Sequence, residues 1–171
     1  MGKIMQIEYR AACSEDLKEI CDLVQDAIKK MIEHNILQWD ELYPDEQILR
    51  EDIYKKQLYV GMIDGKIAVI YVLNQESEDE YKNGRWKYGD KSYGIIHRLC
   101  VNPVFQNKGI ARTTMLHIER EALAKGFQVI RLDVFAENPI ALKLYNDLGY
   151  CEVGNADWRK GRFYLMEKYI Q

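Results

Sequence analysis

The sequence predicts a mixed α/β layer fold, and three observations carry that prediction. Short apolar runs of strand length alternate with longer stretches of helical periodicity. An Asp64-Gly65 pair separates two β-rich runs. In the second half, strands at 95–101 and 129–135 are each followed within a few residues by a helix start.

In chain order, Ile4 to Arg10 alternates apolar and polar side chains, as a half-buried strand does. Ser14 is placed to cap a helix in which Leu17, Ile20, Cys21, Val24, Ile28 and Met31 form one apolar stripe. A shorter helix carrying Ile48, Leu49 and Ile53 follows Pro44. The loop between them, Gln38 to Pro44, is rich in aromatic and acidic side chains. Leu58–Ile63 and Lys66–Leu73 then read as a hairpin, because both residues of an Asp-Gly turn accept positive φ. Residues 74–93 are polar, with Tyr81, Trp86, Tyr88 and Tyr93 interspersed, and read as a solvated loop or ragged hairpin extension.

The second half is more regular. A strand at 95–101 leads through Asn102-Pro103 to a helix from about Gly109 to Lys125, with Ala111, Met115, Ile118 and Ala122 on one face. Val129–Phe135 is the next strand. Asn138 caps a short helix opened by Pro139, whose ring presets a helical φ. Strands at Cys151–Gly154 and Phe163–Tyr169 follow. No repeat or linker interrupts the 171 residues, so one domain is expected over 1–171.

Composition narrows the function classes. Apolar residues at 47% and charged residues at 30% describe a globular chain rather than a disordered one. A net charge of −3 gives no global field toward nucleic acid or an anionic membrane, and neither is expected as a partner. No run of 18 apolar residues and no signal-peptide pattern occur, so a cytoplasmic location is expected. Cys13, Cys21, Cys100 and Cys151 form no metal-ligand spacing, and His34, His97 and His117 are scattered; no metal is expected.

The chemistry concentrates in Gln106-x-x-Gly109-x-Ala111 between a strand and a helix. The first turn of a helix presents N–H groups without intrahelical partners, and its dipole adds about half a positive charge there. Such a terminus binds phosphate, and Lys108 and Arg112 add charge beside it. An ordinary strand-to-helix turn reads the same way on this feature alone. Neither the P-loop spacing nor G-x-G-x-x-G is present.

Further motifs follow the turn. Leu99-Cys100-Val101-Asn102-Pro103, Gln106-x-x-Gly109-x-Ala111, Val134 to Asn138 and Ala141-x-x-Leu144-Tyr145-x-x-x-Gly149-Tyr150 together resemble the cofactor-binding half of the GNAT superfamily of N-acetyltransferases. The resemblance covers about 95–150, a third of the chain, and the element order fits the remainder. The second glycine of the family's motif is Ala111 here.

The resemblance implies a splayed, mostly antiparallel sheet of about seven strands flanked by about four helices. It implies acetyl-CoA as the donor, its arm lying between the strands at 95–101 and 129–135. Backbone groups of Leu99 and Val101 would hold that arm, with the pyrophosphate on the amides of Asn107, Lys108, Gly109, Ile110, Ala111 and Arg112, and Cys100 and Gln106 would also border the cofactor. Asn138 would bond the pantetheine, and the helix carrying Ala141 and Tyr145 would flank the thioester. The elements over about 14–60 would form the acceptor side.

On that footing Tyr145 is expected as the general acid for the departing thiolate, since a tyrosine near pKa ~10 lies only ~2 kcal/mol above a thiol near ~8.5. His97 is expected as the general base, on one strand face with Leu99 and Val101 by alternation; Glu41 and Asp133 are weaker choices. Trp39 and Tyr43 would wall an amine pocket and Glu41 receive the cation; a core role for Trp39 stands equally. No cysteine is expected to carry the acyl group, because alternation turns Cys100 away. The expected reaction is direct acetyl transfer to a primary amine of a small molecule. A protein N-terminus or lysine as acceptor, and a non-catalytic acyl-CoA sensor, are the alternatives. A homodimer is open, as family members often pair.

Overall fold

The computed structural model describes residues 5–171. Its elements are β1 (Glu8–Ala11), α1 (Leu17–Glu33), α2 (Glu46–Tyr54), β2 (Leu58–Ile63), β3 (Lys66–Asn74), β4 (Tyr93–Val101), α3 (Ile110–Ala124), β5 (Val129–Phe135), α4 (Pro139–Asp147), β6 (Cys151–Trp158) and β7 (Gly161–Tyr169). Short 3-10 turns lie at Ser14–Asp16, Asp79–Asn83 and Pro103–Phe105. The seven strands make one sheet in the order β1-β2-β3-β4-β5-β7-β6. Only β4 and β5 run parallel; the other neighbours are antiparallel.

The two faces carry separate helix layers. The α1 stripe of Ile20, Leu23, Val24 and Ala27 packs with Leu58, Val60, Ile70, Val72 and Cys100. On the opposite face Met115, Ile118 and Ala122 of α3 and Leu148 just past α4 meet Tyr71, Leu73, Ile130 and Leu132. The central strand β3 is therefore buried on both sides, and its run KIAVIYVLN is correspondingly apolar.

Local signals explain most boundaries. Asp64 and Gly65 adopt φ of +49° and +76°, the pair of left-handed conformations a two-residue hairpin turn needs. Asp45 accepts from Ile48 N at 2.9 Å and Asn138 from Ala141 N at 3.1 Å, so α2 and α4 start on side-chain caps.

Three expectations are corrected. The first strand begins at Glu8, and Ile4 lies outside the described residues. Ser14 does not cap α1, because its hydroxyl bonds Glu15 instead. Asp16 stands at the N-cap position without a side-chain cap bond to α1; its carboxylate accepts instead from Cys13 N at 2.8 Å and from both terminal nitrogens of Arg10 at 2.7 and 2.9 Å. Finally, residues 75–92 have mostly exposed side chains but are pinned to the sheet at particular points. Tyr81 is buried, and the segment packs across β6 and β7.

The Asp16 cluster carries a stability prediction. Hydrogen bonds from Arg10 lead the causes that bring the Asp16 carboxyl down to about 2. A depressed carboxylate stabilises the fold above its ordinary pKa, and that contribution is lost as pH falls through the folded value. Arg10 is half exposed, which screens the pair, so Asp16→Asn is expected to cost about 1–2 kcal/mol at pH 7. Urea titrations should show the gap between the two proteins narrowing as pH falls from about 4 to about 2.

Candidate active site

The site begins where the sheet splays. β4 and β5 pair only at Tyr93–Val129, Gly94–Ile130 and Ile95–Arg131, and beyond these residues they part. A bulge accompanies the opening: Ile70 faces Cys100 but Val72 faces His97, so Tyr71 opposes two residues of β4. Arg98 takes φ of +50° there, an unfavourable region for a side chain of its size. Its guanidinium is held by Asp52 in a two-pronged pair at 2.7 and 2.7 Å and donates to the Tyr43 hydroxyl at 2.8 Å.

The bulge corrects the alternation argument. His97 shares the α1-facing side with Val72 and Cys100, whereas Leu99 and Val101 pack toward α3. His97 still reaches the cleft because the strands separate beside it.

Two cavities meet at the splay. One, of about 590 Å³, is bordered by Leu99, Cys100, Val101, the turn from Gln106 to Arg112 except Lys108, and Asn138, Ala141 and Tyr145. Gly109 sits at φ of +74° with nothing within 4 Å of where a Cβ would stand. Among the described residues, no hydrogen-bond acceptor is paired with any backbone amide from Asn107 to Arg112. Six free amides at a helix start, opening on a cavity, fit a pyrophosphate. Lys108 departs from expectation: it does not border the cavity, and its ammonium lies 5.6 Å from the Phe105 ring. Asn138 is also committed more than expected, accepting from Ala141 N while donating to Gln38 Oε1 at 3.0 Å.

The second cavity, of about 700 Å³, is bordered by Trp39, Tyr43, His97, Arg98, Asp133 and Tyr145 among others. Trp39 is buried with α1 residues and also walls both cavities. Glu41 is corrected, being exposed and bordering neither cavity. Its neighbour Asp40 is the engaged carboxylate, bound by Arg159 at 2.7 and 2.8 Å and Lys160 at 3.3 Å from the β6–β7 turn. With Gln38 tied to Asn138 and Tyr43 to Arg98, the 38–43 loop is fastened to three separate elements across the cleft.

Charge states within the cleft separate the titratable groups. His97 Nε2 lies 2.9 Å from both Asn74 Oδ1 and Glu76 O, two acceptors, so the proton is on Nε2 and Nδ1 is the free nitrogen. Burial, assisted by Arg98, lowers His97 to about 4. Asp133 moves the other way: burial raises it to about 6 against a hydrogen bond from Tyr81 and the charge of Arg98. Burial, with the nearby Asp133 charge, holds the Tyr145 phenol well above its ordinary value. The Tyr145 ring is buried and borders both cavities, and its hydroxyl forms no hydrogen bond among the described residues. Cys100 is buried and its thiol pushed up to about 12, which leaves it protonated. Among the described residues no group of three His, Cys, Asp or Glu is arranged to hold a metal ion.

Tyr81, Arg159 and Lys160 border this cleft with no motif to announce them. Asp133 did have a signal. It is a carboxylate in the middle of VIRLDVF, an inner strand otherwise buried on both faces, where a charge is costly unless used.

Comparison with known proteins bears on what this cleft does. Residues 25–150 match the family model described as the acetyltransferase (GNAT) family. An acetyltransferase of the GNAT family from Streptococcus agalactiae 2603 is similar over 99% of both chains, with a TM-score of 0.85 at 21% identity. The PaiA N-acetyltransferase of Thermoplasma acidophilum, solved in complex with coenzyme A, is similar over 96% of this chain and 99% of its own, with a TM-score of 0.72 at 21% identity. The ribosomal-protein-S18-alanine N-acetyltransferase of Escherichia coli is similar over 97% and 95%, with a TM-score of 0.71 at 18% identity.

Proposed function

The chain belongs to the acetyltransferase (GNAT) family, enzymes that use acetyl-CoA, and from that membership we propose that it acetylates the primary amine of a small molecule by direct transfer. The observation that carries the choice of acceptor is the fastened 38–43 loop. A protein terminus needs an open groove to lie in. Here Trp39 borders both cavities and Tyr43, tied to Arg98, borders the second, which suits a compact amine.

In this reading the amides from Asn107 to Arg112 bind the pyrophosphate, and the thioester lies at the junction bordered by Leu99, Asp133 and Tyr145. Asp133 takes the role of general base in place of His97. At about 6 it is mostly ionised near neutrality and still has about a hundredfold greater proton affinity than His97 at about 4. A primary amine is only about one part in 10³ neutral near pH 7, and an adjacent carboxylate both attracts the ammonium and accepts its proton. His97 instead serves as a donor that fixes Asn74 and Glu76 at the cavity wall. The Tyr145 hydroxyl, free of partners among the described residues, gives its proton to the departing thiolate sulfur. With Cys100 held protonated, transfer without an acyl-cysteine is the simpler course. Four unpaired thiols fit a cytoplasmic setting.

The test is thiol release from acetyl-CoA against polyamines, amino acids, aminoglycosides and short peptides. Turnover is expected on a small amine, with kcat/KM falling on the acid side of about pH 6 as Asp133 takes up its proton. Turnover confined to peptides would overturn the assignment of the acceptor.

A further inference from the structure

The segment 75–92 joins β3 to β4 by a route much longer than a hairpin needs. It is anchored at each stage. Arg85 N donates to Val153 O at 2.8 Å, Lys87 N to the buried Glu167 carboxylate at 2.6 Å, and Asn83 Nδ2 to Asn155 O at 3.2 Å. Gly154 permits the approach, because a Cβ there would stand 2.9 Å from Asn83 O and 3.0 Å from Gly84 Cα. Trp86 stacks on Tyr81 at 5.7 Å and donates its indole N–H to Tyr81 O at 2.8 Å. The anchors converge on Tyr81, which is 4% exposed and donates its hydroxyl to Asp133 Oδ2 at 2.7 Å.

The geometry points to Tyr81 as the positioning residue of Asp133, delivered by this strap: its hydroxyl holds Oδ2 and leaves Oδ1 to take the amine proton. Oδ1 has no hydrogen-bond partner among the described residues, and Asp133 borders both cavities. A carboxylate held through one oxygen keeps a fixed orientation, which is what proton transfer at about 3 Å requires. Tyr81 does not serve as the acid itself, since its hydroxyl proton is committed to Asp133 Oδ2. The proposal rests on Asp133 being the base.

The other charged or titratable groups facing Asp133 are Arg98 from β4, Glu78 from the strap, Tyr43 from the α1–α2 loop and Tyr145 from α4. Arg98 works in the same direction as the Tyr81 hydroxyl and Glu78 against it. Tyr81→Phe alters none of these four.

Aspartate labelled with carbon-13 at the carboxyl should give one NMR signal titrating near pH 6 that is absent in Asp133→Asn. In Tyr81→Phe that signal is expected to move up by about one pH unit, because a donor to the charged form has been lost. The acid limb of kcat/KM should follow it, kcat should fall about tenfold, and KM for acetyl-CoA should hold. An unmoved signal and limb in Tyr81→Phe, with Asp133→Asn inactive, would overturn the positioning role while leaving the base. Full activity in Asp133→Asn would remove the base and, with it, this proposal. Should Tyr81→Phe not fold, Trp86→Phe releases the strap's hold on Tyr81 without touching the hydroxyl. A smaller upward shift there supports the proposal, and an unchanged Asp133 signal overturns it.

Discussion

Asp133→Asn is expected to lower kcat by about 10²–10⁴-fold and, in the same protein, to raise the stability of the fold at pH 8. The first effect follows if the carboxylate takes the amine proton, since an amide has no basicity to offer. The second follows from burial. Asp133 is raised from 3.8 to about 6 in the folded chain, so folding favours its neutral form. A group raised in this way contributes stability below its unfolded pKa and loses it as pH climbs through the folded value. At pH 8 the ionised side chain therefore costs about 2–3 kcal/mol, and a neutral isostere removes that cost. The Asn oxygen still accepts from Tyr81, so the 2.7 Å contact need not be lost. Urea unfolding at pH 8 and pH 4 measures it: the gain should be largest at pH 8 and fade toward pH 4. A loss of activity with no gain at pH 8 would make Asp133 a structural residue.

Tyr145→Phe should cut kcat about 10²-fold or more while acetyl-CoA affinity, read by calorimetry, stays within about twofold. Burial raises the Tyr145 phenol, which at first sight makes it a poor acid. The leaving thiolate is formed in the same surroundings, however, and burial raises thiols as well: Cys100 reaches about 12 nearby. Acid and leaving group move together, and the proton transfer stays within reach. Packing should survive the change, because the ring and its edge-to-face contact with Tyr150, centroids 5.9 Å apart, are kept. An unchanged kcat would pass the acid role to solvent.

Legibility divides by the range of the interaction responsible. The hairpin at Asp64-Gly65, the Asn138 cap with Pro139, and the Gln106 to Ala111 turn are written in adjacent residues and appear where the sequence puts them. The cavity beside the Gly109 turn is bordered by Leu99 to Val101, Asn138, Ala141 and Tyr145, because the motifs that contain them are contiguous with the elements that present them. The second cavity is less legible in the sequence. Alternation placed His97 beside Leu99, and one bulge, stabilised by Asp52 from forty-six residues away, reversed it. Glu41 was favoured for its charge, but the engaged carboxylate is Asp40, claimed by Arg159 and Lys160 from the far end of the chain. Residues 75–92 look solvated by composition, yet the Arg85 and Lys87 amides are tied to β6 and β7.

By itself, then, the sequence determined the element order, the family resemblance and the glycine turn that opens α3, because periodicity, caps and turn chemistry act between neighbours a few residues apart. Only the tertiary structure decided which carboxylate stands at the cleft, which face His97 takes and how the strap delivers Tyr81. Those outcomes depend on pairings such as Tyr81 with Asp133 and Arg159 with Asp40, between segments 52 and 119 residues apart. No local pattern encodes such pairings, since each becomes favourable only after the sheet has brought its partners out of water together.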